Sequence, residues 1–284
     1  MKSTTATIYG AKLLAHLLFG RPYGLVPNTT LNERHDVQAG IAPTADEQLK
    51  IGYLQIGNGG HRNAVGADNH PYTSPNWHLP SDASCFKPIP FVLRRVDNDL
   101  TPAEQSRYAL RKLVEVDGVY YWAYFLRRLD VSNVTPQMLI NTVGEDGVVT
   151  SRPFVPNSDN LNPTPTDISP EGSVTSSGEY LTASATVEVV FSAAEIEEII
   201  EACRILYDNE GYAVISEMAI VAGCDRIVTA NGPGNTTFNF NEALAATVIS
   251  FLTTYHNLPA ANNGITEILE MGTTEAMLLT TAIA

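Results

Sequence analysis

The sequence predicts an α+β fold of mixed and antiparallel sheets, with a few short helices and long extended loops. Three stretches carry that expectation. Ala185 to Phe191 is β-branched and aromatic with partial alternation, which suits a strand with a buried face. Directly after it, Ser192 precedes Glu195 by three positions, the spacing at which two side chains cap each other's backbone N–H groups at a helix start. Asp117-Gly118 separates two apolar runs as the two-residue turn of a tight hairpin.

In chain order, Ile8 to Phe19 reads as a short helix with Leu13, Leu14, Leu17 and Leu18 on one face, stopped by Gly20-Arg21-Pro22. Residues 23–46 are rich in turn formers and read as irregular chain. Ile51 to Gly57 suits a strand, and a long Pro-rich loop follows it to residue 90. Thr101-Pro102-Ala103-Glu104 has the cap, the proline and the acid of a helix start. The hairpin turn at Asp117-Gly118 sets a register that pairs Val116 with Val119, Val114 with Tyr121, Leu113 with Trp122 and Leu110 with Phe125. After the capped helix, whose Ile196, Ile199, Ile200, Cys203, Leu206 and Tyr207 share a face, Tyr212 to Val221 reads as a second strand closing a β-α-β block. Asn241 then caps an expected helix with Leu244, Val248, Phe251, Leu252 and Tyr255 along one side. Residues 264–281 read as a last strand and an apolar, Thr-rich tail.

Composition suggests three segments. Residues 1–143 form a β-rich domain with a loop arm and a basic hairpin; residues 144–182, dominated by Pro, Ser, Thr, Asn and Asp, form a linker or arm; residues 183–284 form an α/β domain. At 284 residues and 44% hydrophobic the chain can bury a substantial core. No apolar run approaches the roughly 20 residues that cross a bilayer, and the apolar N-terminal run lacks a signal-peptide pattern. The three cysteines, Cys85, Cys203 and Cys224, include no C-x-x-C pair and read as buried thiols.

The net charge of −14 is unevenly placed. Residues 1–129 hold 14 Lys and Arg against 11 Asp and Glu, whereas residues 130–284 hold 3 against 20. Arg94, Arg95, Arg107, Arg111, Lys112, Arg127 and Arg128 cluster around the hairpin, and Glu197, Glu198 and Glu201 lie on the capped helix. These ten residues are the expected contact surfaces, the basic part of one copy meeting the acidic part of the next in a head-to-tail ring. The overall acidity opposes the phosphate attraction that dominates nucleic-acid binding, so nucleic acid is not an expected partner, nor is a membrane.

The stretch 58–85 is where chemistry would sit. It holds His61, His70 and His78, and the alternative reading is a metal- or carbohydrate-binding protein or enzyme with its site there. The gaps of nine and eight residues match no compact zinc spacing, and Gly57-Asn58-Gly59-Gly60 is neither a Walker loop nor a completed dinucleotide fingerprint. No nucleophile elbow or H-E-x-x-H motif is present. No catalytic residue and no cofactor is expected.

The strings Ile56-Gly57-Asn58-Gly59-Gly60-His61, Gly66-Ala67-Asp68, Phe86-Lys87-Pro88-Ile89-Pro90-Phe91, Asp99-Leu100-Thr101, the run Tyr120 to Asp130 and the block Ile200 to Tyr207 together resemble virion structural proteins of contractile-tailed bacteriophages. That resemblance, over about two thirds of the chain, implies a non-enzymatic building block of neck, tail or baseplate. It would assemble with copies of itself and with other virion proteins after synthesis in the host cytoplasm.

Overall fold

The computed structural model describes residues 2–158, 173–231, 237–261 and 264–281. The fold is mostly β, several antiparallel sheets with short helices, and this corrects the expected α+β balance. The strands are β1 (Ser3–Ala6), β2 (Lys50–Gly57), β3 (His61–Val65), β4 (Pro71–Pro75), β5 (Pro88–Ile89), β6 (Val92–Arg95), β7 (Tyr108–Val116), β8 (Val119–Arg128), β9 (Gln137–Val143), β10 (Val149–Pro153), β11 (Ser173–Phe191), β12 (Val214–Asn231), β13 (Thr237–Asn257) and β14 (Ile265–Thr281). The helices are α1 (Ile8–Leu18), α2 (Leu31–His35), α3 (Pro102–Gln105) and α4 (Ala193–Tyr207).

The largest correction is the helix expected after Asn241. That stretch lies in β13, a strand flanked on both sides, by β1 and by β12. Its residues from Ala243 to Val248 are all buried, so the strand shows a continuous apolar run instead of alternation, and Leu244, Val248, Phe251 and Leu252 fall at helical offsets by coincidence. Thr247, Val248, Ile249, Thr253 and Thr254 were the opposing signal, since β-branched side chains favour strands.

The chain forms two compact units. The first comprises residues 1–130 and 190–265, the second residues 131–189 and 266–284. The boundary expected at 144–182 is therefore displaced: β10 and the start of β11 lie inside that polar segment, because Ser and Thr are compatible with exposed strands, while residues 159–172 fall outside the described residues. Nor is the β-α-β block one sheet. β11 belongs to a four-stranded sheet ordered β10-β9-β11-β14, and β12 to an eight-stranded sheet.

In the first unit the sheet runs β1-β13-β12-β2-β8-β6, with β5 beside β2 and β7 beside β8. The β7–β8 hairpin has the expected register, with Val116 opposite Val119, Val114 opposite Tyr121 and Leu113 opposite Trp122. Asp117 and Gly118 both take positive φ, 50° and 77°, as the predicted turn requires. Leu110 departs from the ladder. Its φ of 56° turns its N–H away from β8, and the pair expected with Phe125 is missing from an otherwise unbroken register. The core gathers Leu31, Tyr53, Leu110, Leu126, Val221, Val248 and Phe251.

The capping boxes predicted at Thr101 and Ser192 are both formed. A third, Thr30 with Glu33, starts α2 inside the stretch read as irregular. On α1 only Leu13 is buried; Leu14, Leu17, Leu18 and the following Phe19 are exposed. The helix packs through Gly10, where a Cβ would come within 2.8 Å of the Ile249 carbonyl.

Candidate functional site

A buried polar network in the first unit is centred on β12. Glu217 sits in a strand otherwise packed with Ile215, Met218, Ala219 and Ile220, and its side chain is wholly buried. A buried carboxylate needs partners to offset lost hydration. Glu217 accepts from the backbone N–H groups of Gly59 (2.9 Å), Phe86 (2.9 Å) and Lys87 (3.0 Å), and lies 2.8 Å from Nε2 of His78. Nδ1 of His78 faces Asp82 at 3.0 Å, and Asp82 also accepts from the Leu79 N–H. The imidazole lies between Phe86 and Phe251, with centroids 4.1 and 3.7 Å away and the rings nearly parallel. A ring with a proton on each nitrogen donates to both acids.

An acid–histidine–acid row has the look of a proton relay, but the His78 and Glu217 side chains have no exposed surface. A solute does not reach them. The carboxylate is instead a tie that holds the Asn58–Gly60 and Phe86–Lys87 segments against β12. This accounts for the glycine string: a Cβ on Gly57 would collide with Glu217 and one on Gly60 with the Ser216 carbonyl, while one on Gly59 would meet Phe86 at 2.7 Å. Close backbone approach, not phosphate, is what these glycines serve. Sequence reading passed over Glu217, although a lone acid within the apolar run Ala213 to Val221 was its signal.

The three histidines of this stretch lie in different settings. His61 meets the Tyr255 ring edge-on at 4.9 Å, His70 is exposed at the β3–β4 turn, and His78 is in the tie. Among the described residues no three His, Cys, Asp or Glu side chains come together as a metal site. Burial raises the thiols of Cys85, Cys203 and Cys224, the second to about 12, so all three are poor nucleophiles.

The basic hairpin was expected to face a neighbouring copy. Six of its seven cations pair within the chain: Arg94 with Glu198, Arg95 with Asp97, Arg107 and Arg127 with Glu195, Arg111 with Asp99, and Arg128 with Asp225. Arg111 also lies over Trp122, its guanidinium carbon 4.0 Å from the ring centroid. Lys112 is half-buried, Glu197 is exposed, and Glu201 pairs with Arg204. Burial opposes the charge of Glu195, but the Ser192 N–H and the guanidinium groups of Arg127 and Arg107 outweigh it and hold the carboxyl below its ordinary range. The two halves of opposite charge thus meet inside one molecule, where α4 covers the β6–β8 side.

Arg94 and Glu198 test that arrangement. Their side chains are 29% and 31% exposed. A double-mutant cycle with Arg94→Ala and Glu198→Ala, read by urea denaturation, is expected to give a coupling of about 0.5–1 kcal/mol. Zero coupling would mean that the pair adds nothing to stability.

One more acid stands out. Glu242 on β13 is 2% exposed and accepts from the N–H of Leu110, the residue turned out of the β7–β8 ladder, and from those of Arg111 and Ala243. Burial pushes its carboxyl up to about 7 against those three donors. It borders a hollow of about 310 Å³ lined also by Asp36, Gln38, Lys112 and Trp122.

Comparison with known families decides what the chain is related to. The sequence profile of a family of unknown function, DUF7208, matches residues 1–284. The chain belongs to DUF7208. Neither the curated proteins nor the solved structures give a match. The function of this DUF7208 chain therefore has to be argued from its surfaces.

Proposed function

We propose that this DUF7208 protein is a non-enzymatic structural subunit of a tailed-phage virion, in the neck, tail or baseplate, assembling with copies of itself into a symmetric ring. The observation that supports this most is the β3–β4 hairpin. It is a two-stranded sheet of its own, five residue pairs long, with no third strand beside it among the described residues. Such a ribbon is marginal in water without a surface to pack on. Val65 and Tyr72 on it are exposed, and Trp77, Leu79 and Phe86 after it are exposed too. A neighbouring copy that receives the hairpin supplies the missing surface, and a contact between two different patches of the same chain generates a ring when its rotation closes. The bare apolar residues of α1 add to the surface that association would cover.

The test is the mass of the purified protein at micromolar concentration, with negative-stain images of the particles. A ring-shaped oligomer is expected, and V65D/Y72D, which alters only exposed side chains, is expected to leave a folded monomer. Because the contact is apolar and the cations are satisfied internally, molar salt should leave the ring intact. A wild-type monomer at every concentration would overturn the proposal.

A further inference from the structure

In the second unit, one face of the four-stranded sheet is hollowed into a groove of about 690 Å³. Its floor follows from strand periodicity, in which alternate residues share a face. β9 presents Gln137 and Asn141, β10 presents Ser151, β11 presents Ser184 and Thr186, and β14 presents Glu270. A second hollow of about 350 Å³ shares Asn141, Val149, Ser184 and Glu270 with the first, so the two form one elongated trough with Tyr180 at its far end.

The chemistry of the trough is unusual for a bare sheet face. Amides and hydroxyls dominate it, Val134, Leu139, Val143 and Val149 interrupt them, and among the described residues no Lys or Arg lines either hollow. A phosphate or sulfate would find one carboxylate and no cation there. Part of the array is already held in place: Ser151 Oγ donates to Asn141 Oδ1 (2.6 Å), Asn141 Nδ2 to Thr182 Oγ1 (2.7 Å) and Ser184 Oγ to Glu270 Oε1 (2.5 Å). Such bonds lock the rotamers, so a ligand need not order them. Gln137 and Thr186 line the groove and make no side-chain hydrogen bond among the described residues.

We infer that this trough binds a neutral oligosaccharide lying across the strands. A sugar's ring hydroxyls both donate and accept, which matches amides and hydroxyls that do the same; its carbon faces suit Leu139, Val149 and the Tyr180 ring; and the Glu270 carboxylate accepts from hydroxyls while repelling anions. The volume accommodates a short chain of sugars, and the open side lets it continue beyond the sheet. A peptide strand is the weaker fit, because its backbone seeks a sheet edge, not a sheet face.

The experiment titrates maltohexaose, cellohexaose and chitohexaose into the full chain by calorimetry, with a sulfated heparin hexasaccharide and an extended Ser/Thr-rich peptide as competitors. At least one neutral sugar should saturate at millimolar affinity or better. Gln137→Ala and Thr186→Ala should each weaken it by about tenfold, the value of one lost hydrogen bond. Both side chains are exposed, so unchanged circular dichroism and melting are expected in the same samples. Three results overturn the inference: no neutral sugar binds, both substitutions leave binding unchanged, or the sulfated sugar or the peptide binds more tightly. The oligomeric state is measured separately and does not enter this outcome.

Discussion

Glu217→Ala is expected to destabilise the protein by about 3–5 kcal/mol, the cost of removing one partner from a buried charged network. The substitution leaves three part-buried backbone N–H groups, of Gly59, Phe86 and Lys87, without an acceptor, and takes from the buried His78 the acid at its Nε2. Each stranded donor costs roughly 1–3 kcal/mol, and their sum is reduced only as far as the loop can relax towards water. Relaxation is limited here, because Gly57, Gly59 and Gly60 hold the backbone against β12 at distances that tolerate no side chain. Glu217→Gln should cost less, since its remaining carbonyl oxygen still accepts. Urea denaturation gives the totals, and hydrogen exchange locates them: the 58–60 and 86–87 amides should lose protection before the β12–β13 ladder does. A loss under about 1 kcal/mol for the alanine variant would show that the buried acid is not a tie, since breaking a buried pair normally costs several times that.

That tie also shows how far the sequence could be read. Where local chemistry decides structure, reading succeeded: the Ser192–Glu195 and Thr101–Glu104 boxes formed, and Asp117-Gly118 placed Val116 opposite Val119. The same rule applied to Thr30 and Glu33 would have found α2. Where long-range pairing decides, it failed. β13 is flanked by β12, close before it in the chain, and by β1 from the far end, and its apolar spacing matches a helix face; only the β-branched Thr247, Val248, Ile249, Thr253 and Thr254 point the other way. The basic hairpin reads as a contact surface between copies, but its partners Glu195 and Glu198 lie on α4, far along the chain, and these ion pairs form within one molecule. His78 was noticed and Glu217 was not, because the site exists only once residue 78 is brought beside residue 217.

Glu242 and His35 should give the protein a stability that is nearly flat in mildly acidic solution, with opposite slopes hidden beneath it. Burial raises the Glu242 carboxyl to about 7 from an ordinary 4.5, so its contribution is fully present below pH 4.5 and is lost as pH rises through 7. His35 behaves in the opposite sense. It is buried beside Phe125 with its Nε2 3.1 Å from the Gln55 amide nitrogen, an arrangement that a neutral ring satisfies by accepting. Burial, aided by nearby Lys112, lowers it from 6.5 to about 4, so its contribution is present above pH 6.5 and is lost as pH falls through 4. Each range amounts to about 3 kcal/mol at roughly 1.4 kcal/mol per pH unit. Between pH 4.5 and 6.5 the two slopes cancel. Glu242→Gln removes one of them, so the difference in stability between wild type and this variant should shift in the variant's favour by about 3 kcal/mol on going from pH 4.5 to 7. His35→Gln should shift the other way between pH 6.5 and 4. Denaturation midpoints of the three proteins across this range check both signs, and a variant that keeps the wild-type profile would place the titration on other groups. Because Glu242 holds the N–H of Leu110 at the break in the β7–β8 ladder, its ionisation also sets how firmly that kink is held: a carboxylate accepts all three N–H groups, whereas the protonated acid gives up one lone pair to its own hydrogen.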